Sequence, residues 1–221
     1  MPLDGNELHD LAEHFFENPQ TEVLGWQLLL EAMTGCRTSE VLRLRWDAKH
    51  KGEAGFIEGE WLWLNRSKGG VKPFVTIHPA LAECLEVLKR WHLWRYPKPF
   101  WFLPNNGGSA PIDSCALTKA LATAGPLIAK AHRTSHGLRA YYVTVRRSQG
   151  ISDAQIADEF GDKTGAAIVV STYGAVPPNW RGSEALSWMP TDGKPAWRVL
   201  KMPEGAECMP PSMFHVEHCC K

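Results

Sequence analysis

The stretch SHGLR places His136 and Arg139 three residues apart. Side chains at that spacing share one helical face. An imidazole that handles protons beside a permanently charged guanidinium suits a phosphate group. Three other features add residues of related chemistry. In TGCRTSEVLRLRW, Arg37 follows a glycine at a predicted helix start, with Glu40 three residues on. A cation there opposes the helix macrodipole, which argues for a role beyond local stability. Lys68 lies in the glycine-rich RSKGGVK, and Tyr173 stands at the end of a predicted helix in STYG.

The elements that must position these residues follow from apolar period and turn chemistry. Helices are predicted at Leu8–Glu17, Thr21–Thr34 (with Thr21 as N-cap and Gly35 just past the end) and Ser39–Leu44. The period then changes. GFIEGEWLWLNRSKGGVKPFVTIHP alternates and is rich in aromatic and β-branched residues, so strands are predicted near 56–57, 60–65 and 72–77, the last two as a hairpin around Gly-Gly. Helices follow at Pro79–Trp94, Asp113–Ala124, His136–Ser148, Ser152–Phe160 and Ala166–Thr172. Tyr141 and Tyr142 are expected in the core. From Gly174 on, seven of the 16 prolines fall among glycines and tryptophans, and an irregular tail without a core of its own is predicted. The expected fold class is α+β, mainly α-helical, with a small three-stranded antiparallel sheet. The expected domain is 1–174, followed by a Pro/Gly/Trp-rich tail, 175–221.

The net charge of zero hides an uneven distribution. Residues 1–36 carry −7, residues 37–147 carry +10 and residues 148–221 carry −3. The basic middle is an electrostatic footprint for a polyanion. Arg66, Lys72, Arg133, Arg146 and Arg147 are its candidates for contact with a phosphate backbone, with surface charge as the alternative for Arg146 and Arg147. No apolar run reaches the ~18 residues needed to span a bilayer, and the acidic N-terminus lacks the basic start of a signal peptide. A cytoplasmic protein is expected. Cys36, Cys84 and Cys115 stand singly in apolar context, as buried free thiols do. His215, His218, Cys219 and Cys220 cluster in FHVEHCCK, but the spacing fits no standard metal site. No metal or cofactor is expected.

Taken together, these boxes resemble the catalytic domain of the tyrosine recombinases, the phage integrase family. Thr34, Gly35, Arg37, Ser39, Glu40, Leu44 and Trp46 match the family's first-arginine box. Lys68 matches its hairpin lysine, with Lys72 as competitor for the role. His136 and Arg139 match its His-x-x-Arg box, and Tyr173 its nucleophile. The resemblance runs from about residue 7 to residue 174. It implies metal-independent DNA breakage and rejoining through a 3′-phosphotyrosyl intermediate. A phenol ordinarily ionises near pH 10, so the tyrosine needs cationic help. Two guanidiniums, Arg37 and Arg139, would hold the transition-state charge. Lys68 would protonate the 5′-hydroxyl leaving group, and His136 would share in hydrogen bonding and proton transfer. Glu40 would orient Arg37 or the histidine. Double-stranded DNA is the implied partner, with self-association as a tetramer on DNA, or a partner that supplies a DNA-binding domain.

Two departures stand beside the matches. The family places His or Trp nine residues before the tyrosine. Here EFGDKTGAAIVVSTYG puts Asp162 there counting from Gly161, or Thr164 counting back from Tyr173, with Lys163 as a neighbouring donor. The family's N-terminal clamp domain is also not expected, since only about 20 residues, acidic in net charge, precede the first core helix. The retained arginines, lysine and tyrosine favour an active strand transferase. The two departures favour a catalytically weak DNA-binding module that assists or regulates a longer recombinase. A type IB topoisomerase-like enzyme shares the tyrosine chemistry but fits the box spacing less well.

Overall fold

The computed structural model describes residues 3–65, 74–96, 98–128, 134–161, 165–174 and 188–201. Eight helices are described: α1 (Gly5–Phe16), α2 (Glu22–Thr34), α3 (Thr38–Val41), α4 (Pro79–Arg95), α5 (Ala116–Ile128), α6 (Ser135–Ser148), α7 (Asp153–Glu159) and α8 (Ala166–Tyr173). An antiparallel sheet in the order β1-β2-β3 (Ile57–Glu58, Trp61–Trp63, Phe74–Thr76) lies between α3 and α4 in the chain. The mainly helical class with a small three-stranded antiparallel sheet is therefore as expected. Among the described residues no helix is long and apolar enough to cross a membrane.

Helix α2 is the axis of the core. All its residues except Val23 are buried, as an almost uniformly apolar helix requires. It packs against α1, α4, α5 and α6. Thr21 occupies its N-cap position but makes no capping bond. Its hydroxyl instead donates to the Phe15 carbonyl at 2.8 Å and closes the turn from α1.

Helix α3 is shorter than predicted because the chain leaves it for a different partner. Residues 44–46 run beside 100–102: the Phe102 amide donates to Leu44 at 2.9 Å and the Trp46 amide to Phe100 at 2.8 Å. Trp46 then stacks on Phe102 with ring centroids 3.8 Å apart. A cross-chain pairing of this kind leaves no mark on local periodicity. Gly55 allows the next turn, since at φ 98° a Cβ would lie 2.1 Å from the Arg45 carbonyl oxygen. Helix α5 starts after Cys115, whose amide donates to Asp113. Cys115 is consequently exposed, while Cys36 and Cys84 are buried.

Beyond Gly174, residues 188–201 contain one short 3₁₀ turn, Ala196–Val199, and they enter the common core. Trp188, Ala196, Trp197 and Leu200 are buried. His9 of α1 accepts the Ala196 amide on Nδ1 at 2.9 Å, and its Nε2 lies 3.1 Å from the Trp188 carbonyl. Trp197 stacks on Trp26. Trp188 lies flat on His78 at 4.5 Å and packs against Tyr141 and Tyr142, which are in the core as expected. This segment braces the far side of α6.

Trp188→Ala should lower stability by about 3–5 kcal/mol in urea unfolding, the usual cost of emptying a buried indole site. A change below about 1 kcal/mol would mean that the segment only rests on the surface. Burial lowers the His9 pKa. The unfolded chain therefore takes up this proton first, and stability should fall as pH drops below about 6.5.

Candidate active site

The cleft begins where α2 ends. Gly35 caps the helix in the left-handed region at φ 63°, and a Cβ there would lie 2.7 Å from ring atoms of both Tyr142 and Phe160. Only glycine fits, and the sharp turn brings the next residues to the cleft. Arg37 stands in extended conformation just before α3. Its backbone amide donates to Glu40 Oε2 at 2.9 Å, and its guanidinium lies 3.7 Å from Glu40 Oε1. Glu40 is thus fastened to Arg37, whose side chain remains 52% exposed toward incoming groups.

Helix α6 supplies the opposite wall. The Thr134 hydroxyl caps it by accepting the Gly137 amide at 3.2 Å. His136 and Arg139 then follow on one face. Arg139 Nε donates to the Tyr173 hydroxyl at 2.9 Å, and Nη1 donates to the Gly35 carbonyl. The guanidinium carbon lies 3.5 Å from the centre of the Phe160 ring. Burial pulls the Arg139 pKa below its usual value, Tyr173 opposes the shift and Arg37 adds to it. An arginine so placed stays cationic. His136 stacks on the Tyr173 ring, with centroids 5.5 Å apart and planes 21° from parallel.

Arg37, His136, Arg139 and Tyr173 line one cleft of about 420 Å³, together with Thr38, Ser135 and Thr172. Three chain segments far apart in sequence, 37–38, 135–139 and 172–173, meet there. A phenol oxygen, two guanidiniums and an imidazole around one space form an anion site with a nucleophile built in. Lys68, Arg66, Lys72, Arg133, Asp162, Lys163 and Thr164 lie outside the described residues.

Arg146 and Arg147 do not face this cleft's ligand space. Arg146 binds Glu159, which also accepts the Tyr142 hydroxyl at 2.9 Å. Arg147 forks onto Asp153, and its side chain is 7% exposed. Both guanidiniums are thus paired with carboxylates of α7, Arg146 with Glu159 and Arg147 with Asp153.

Three features of the site were not singled out from sequence. Phe160, read only as a helix end, is the platform under Arg139. The Gly35 carbonyl is an acceptor, and main-chain acceptors have no sequence signature. Glu31 lines the cleft although it is buried in α2. It accepts Gln27 Nε2 at 2.7 Å. Burial raises its pKa to about 7, against opposing hydrogen bonds from Gln27 and Thr38.

Comparison with solved structures finds this fold in the XerA recombinase, at TM-score 0.63 and 15% sequence identity, covering 81% of this chain and 62% of that one. The chain thus spans about three-fifths of that protein's length. No family model and no curated protein matches the sequence. The fold is that of a tyrosine recombinase.

The Glu31 carboxyl binds its proton more tightly folded, near pH 7, than at its ordinary 4.5. Its ionisation therefore removes stability as pH rises from about 4.5 through 7. Glu31→Gln should gain on the order of 3 kcal/mol relative to the parent between pH 4.5 and pH 8.5. Paired urea titrations at the two pH values check this, and a pH-independent difference would refute it.

Proposed function

We propose that this chain is a DNA strand transferase of the tyrosine-recombinase type, with Tyr173 as nucleophile. The observation that carries the reading is the bond from Arg139 Nε to the Tyr173 hydroxyl, within a cleft that also holds Arg37 and His136. In the proposed reaction the Tyr173 oxygen attacks a DNA phosphorus as its proton passes to His136, which stacks beside it. The bond from phosphorus to the 5′-oxygen breaks, and the 5′-hydroxyl leaves with a proton supplied by Lys68. The 3′-phosphate stays on the tyrosine until a 5′-hydroxyl reverses the step.

The chemistry explains the residue types. Negative charge that grows on the phenol oxygen develops beside a fixed cation. Negative charge on the non-bridging phosphate oxygens meets N–H groups of Arg37 and the free edge of Arg139. Such donors are worth most when they are already aimed and partly dry. Glu40 serves as the orienter of Arg37. The fold likeness to a recombinase agrees with this reading, and the basic centre of the sequence supplies the field that draws DNA. Duplex DNA is the substrate in this proposal, and self-association on DNA supplies the paired sites that exchange strands.

A nicked suicide substrate, run against wild type and Tyr173→Phe on a denaturing gel, tests the proposal. Wild type should give a slower protein–DNA adduct and Tyr173→Phe none. Arg139→Lys should slow adduct formation by ~10²–10³-fold, the cost of one lost preorganised donor set. The substrates must include the DNA flanking the gene. Salt-dependent DNA binding without any adduct would turn the reading to a binding module that assists another recombinase.

A further inference from the structure

The helix that carries Tyr173 packs on the core mainly through Val169, with Ile168 and Tyr173 only partly buried against it. Helix α8 has eight residues, and Val169 is its one buried residue. Tyr173 is the last of the eight, where a helix frays first. Its hydroxyl is nevertheless within 2.9 Å of Arg139 Nε. That alignment needs something to hold the helix end.

The holder is on α6, eight residues beyond Arg139. Arg147 Nη1 donates to the carbonyl of Gly174 at 2.8 Å, the residue directly after Tyr173. Gly174 caps α8 at φ 71°, its own amide donating to Val170. The same guanidinium is clamped on its other edge: Nε donates to Asp153 Oδ1 at 2.6 Å and Nη2 to Asp153 Oδ2 at 3.1 Å. A bidentate carboxylate fixes the plane of a guanidinium, so the direction of the remaining N–H is also fixed. Asp153 is itself set in the first turn of α7, behind the Ser152 cap. Arg147 is in the last turn of α6. Both charges suit their helix ends.

We propose that Arg147, oriented by Asp153, is a positioning residue that holds the end of α8 and thereby sets where the Tyr173 hydroxyl stands. The proposal rests on the reading of Tyr173 as the nucleophile for its catalytic consequence, but the tether itself does not. Helix α6 grips α8 at two points. Arg139 holds the reacting side chain, and Arg147 holds the backbone beside it. Because Arg147 is buried and paired, it acts through Tyr173 and not through DNA.

Arg147→Gln, Arg147→Lys and Asp153→Asn test this in two measurements. The first is amide hydrogen exchange in the DNA-free protein. Exchange at residues 166–174 should rise about tenfold or more in Arg147→Gln and Asp153→Asn, with α1 and α2 unchanged. Arg147→Lys keeps the charge but not the fork, and should recover only part of the protection. The second is adduct formation on the suicide substrate with DNA affinity measured in parallel. The rate should fall about 10- to 100-fold, as a misplaced reacting atom causes, while affinity and its salt slope stay as in wild type. Unchanged exchange at 166–174 overturns the proposal. So does weaker DNA binding with a salt slope reduced by about one, the mark of a lost phosphate contact. Asp153→Asn separates the cases again, since a phosphate-binding arginine freed of its acid would bind DNA more tightly. A wild type without any adduct defeats the nucleophile assignment, and the exchange result then decides the tether alone. If Arg147→Gln does not fold, Asp153→Asn carries both measurements.

Discussion

A guanidinium taken out of bulk water has to be met along its N–H edges and over its faces. Arg139 is met by three chain segments at once: the Tyr173 hydroxyl, the carbonyl of Gly35 and the ring of Phe160. Each partner comes from a different element. Gly35 ends α2, Phe160 follows α7 and Tyr173 closes α8. The position of every cleft residue described here depends on this one group finding all three. The turn at Gly35 is equally constrained, because the rings of Phe160 and Tyr142 already fill the space a side chain would need.

That junction is held by a stiff frame. Helix α2 is buried on nearly every side, and Trp26 within it touches Phe16, Trp91 and Trp197. Close-packed aromatic groups of this size resist displacement in any direction. Behind α6, Trp188 fills the space between His78, Tyr141 and Tyr142. The wall that carries His136 and Arg139 is therefore supported by a segment that follows Tyr173 in sequence. Shape at the cleft depends on packing well away from it.

The residues gathered in the cleft were legible in sequence because their signals are local. A glycine at a helix end, a three-residue spacing and a tyrosine closing an apolar helix can each be read within a short window. Helix starts at Ser152 and after Thr134 were legible for the same reason, as caps act within three residues. What escaped depends on the angle between elements. Arg147 reads as a phosphate contact or a surface cation, and nothing local shows that α7 brings Asp153 within 2.6 Å or that α8 brings the Gly174 carbonyl within 2.8 Å. The helix read as running to Leu44 stops at Val41, because the pairing of residues 44–46 with 100–102 competes and wins. The proline-rich stretch around Trp188 and Trp197 has no periodicity, so its burial against α1 could not be read from its own pattern.

The electrostatics of the cleft also follow from how it is held. Arg37 lies close enough to Arg139 to disfavour its charge, so the two like charges repel across the cleft. Flexible side chains in water would separate and relieve the repulsion. Here Arg139 is fixed on three sides, while the half-exposed Arg37 side chain pairs with Glu40 at 3.7 Å. An anion that enters between them relieves the repulsion and meets Arg139 already in place. The same scaffold that sets Arg139 beside Arg37 gives an entering anion a donor group that is already aimed.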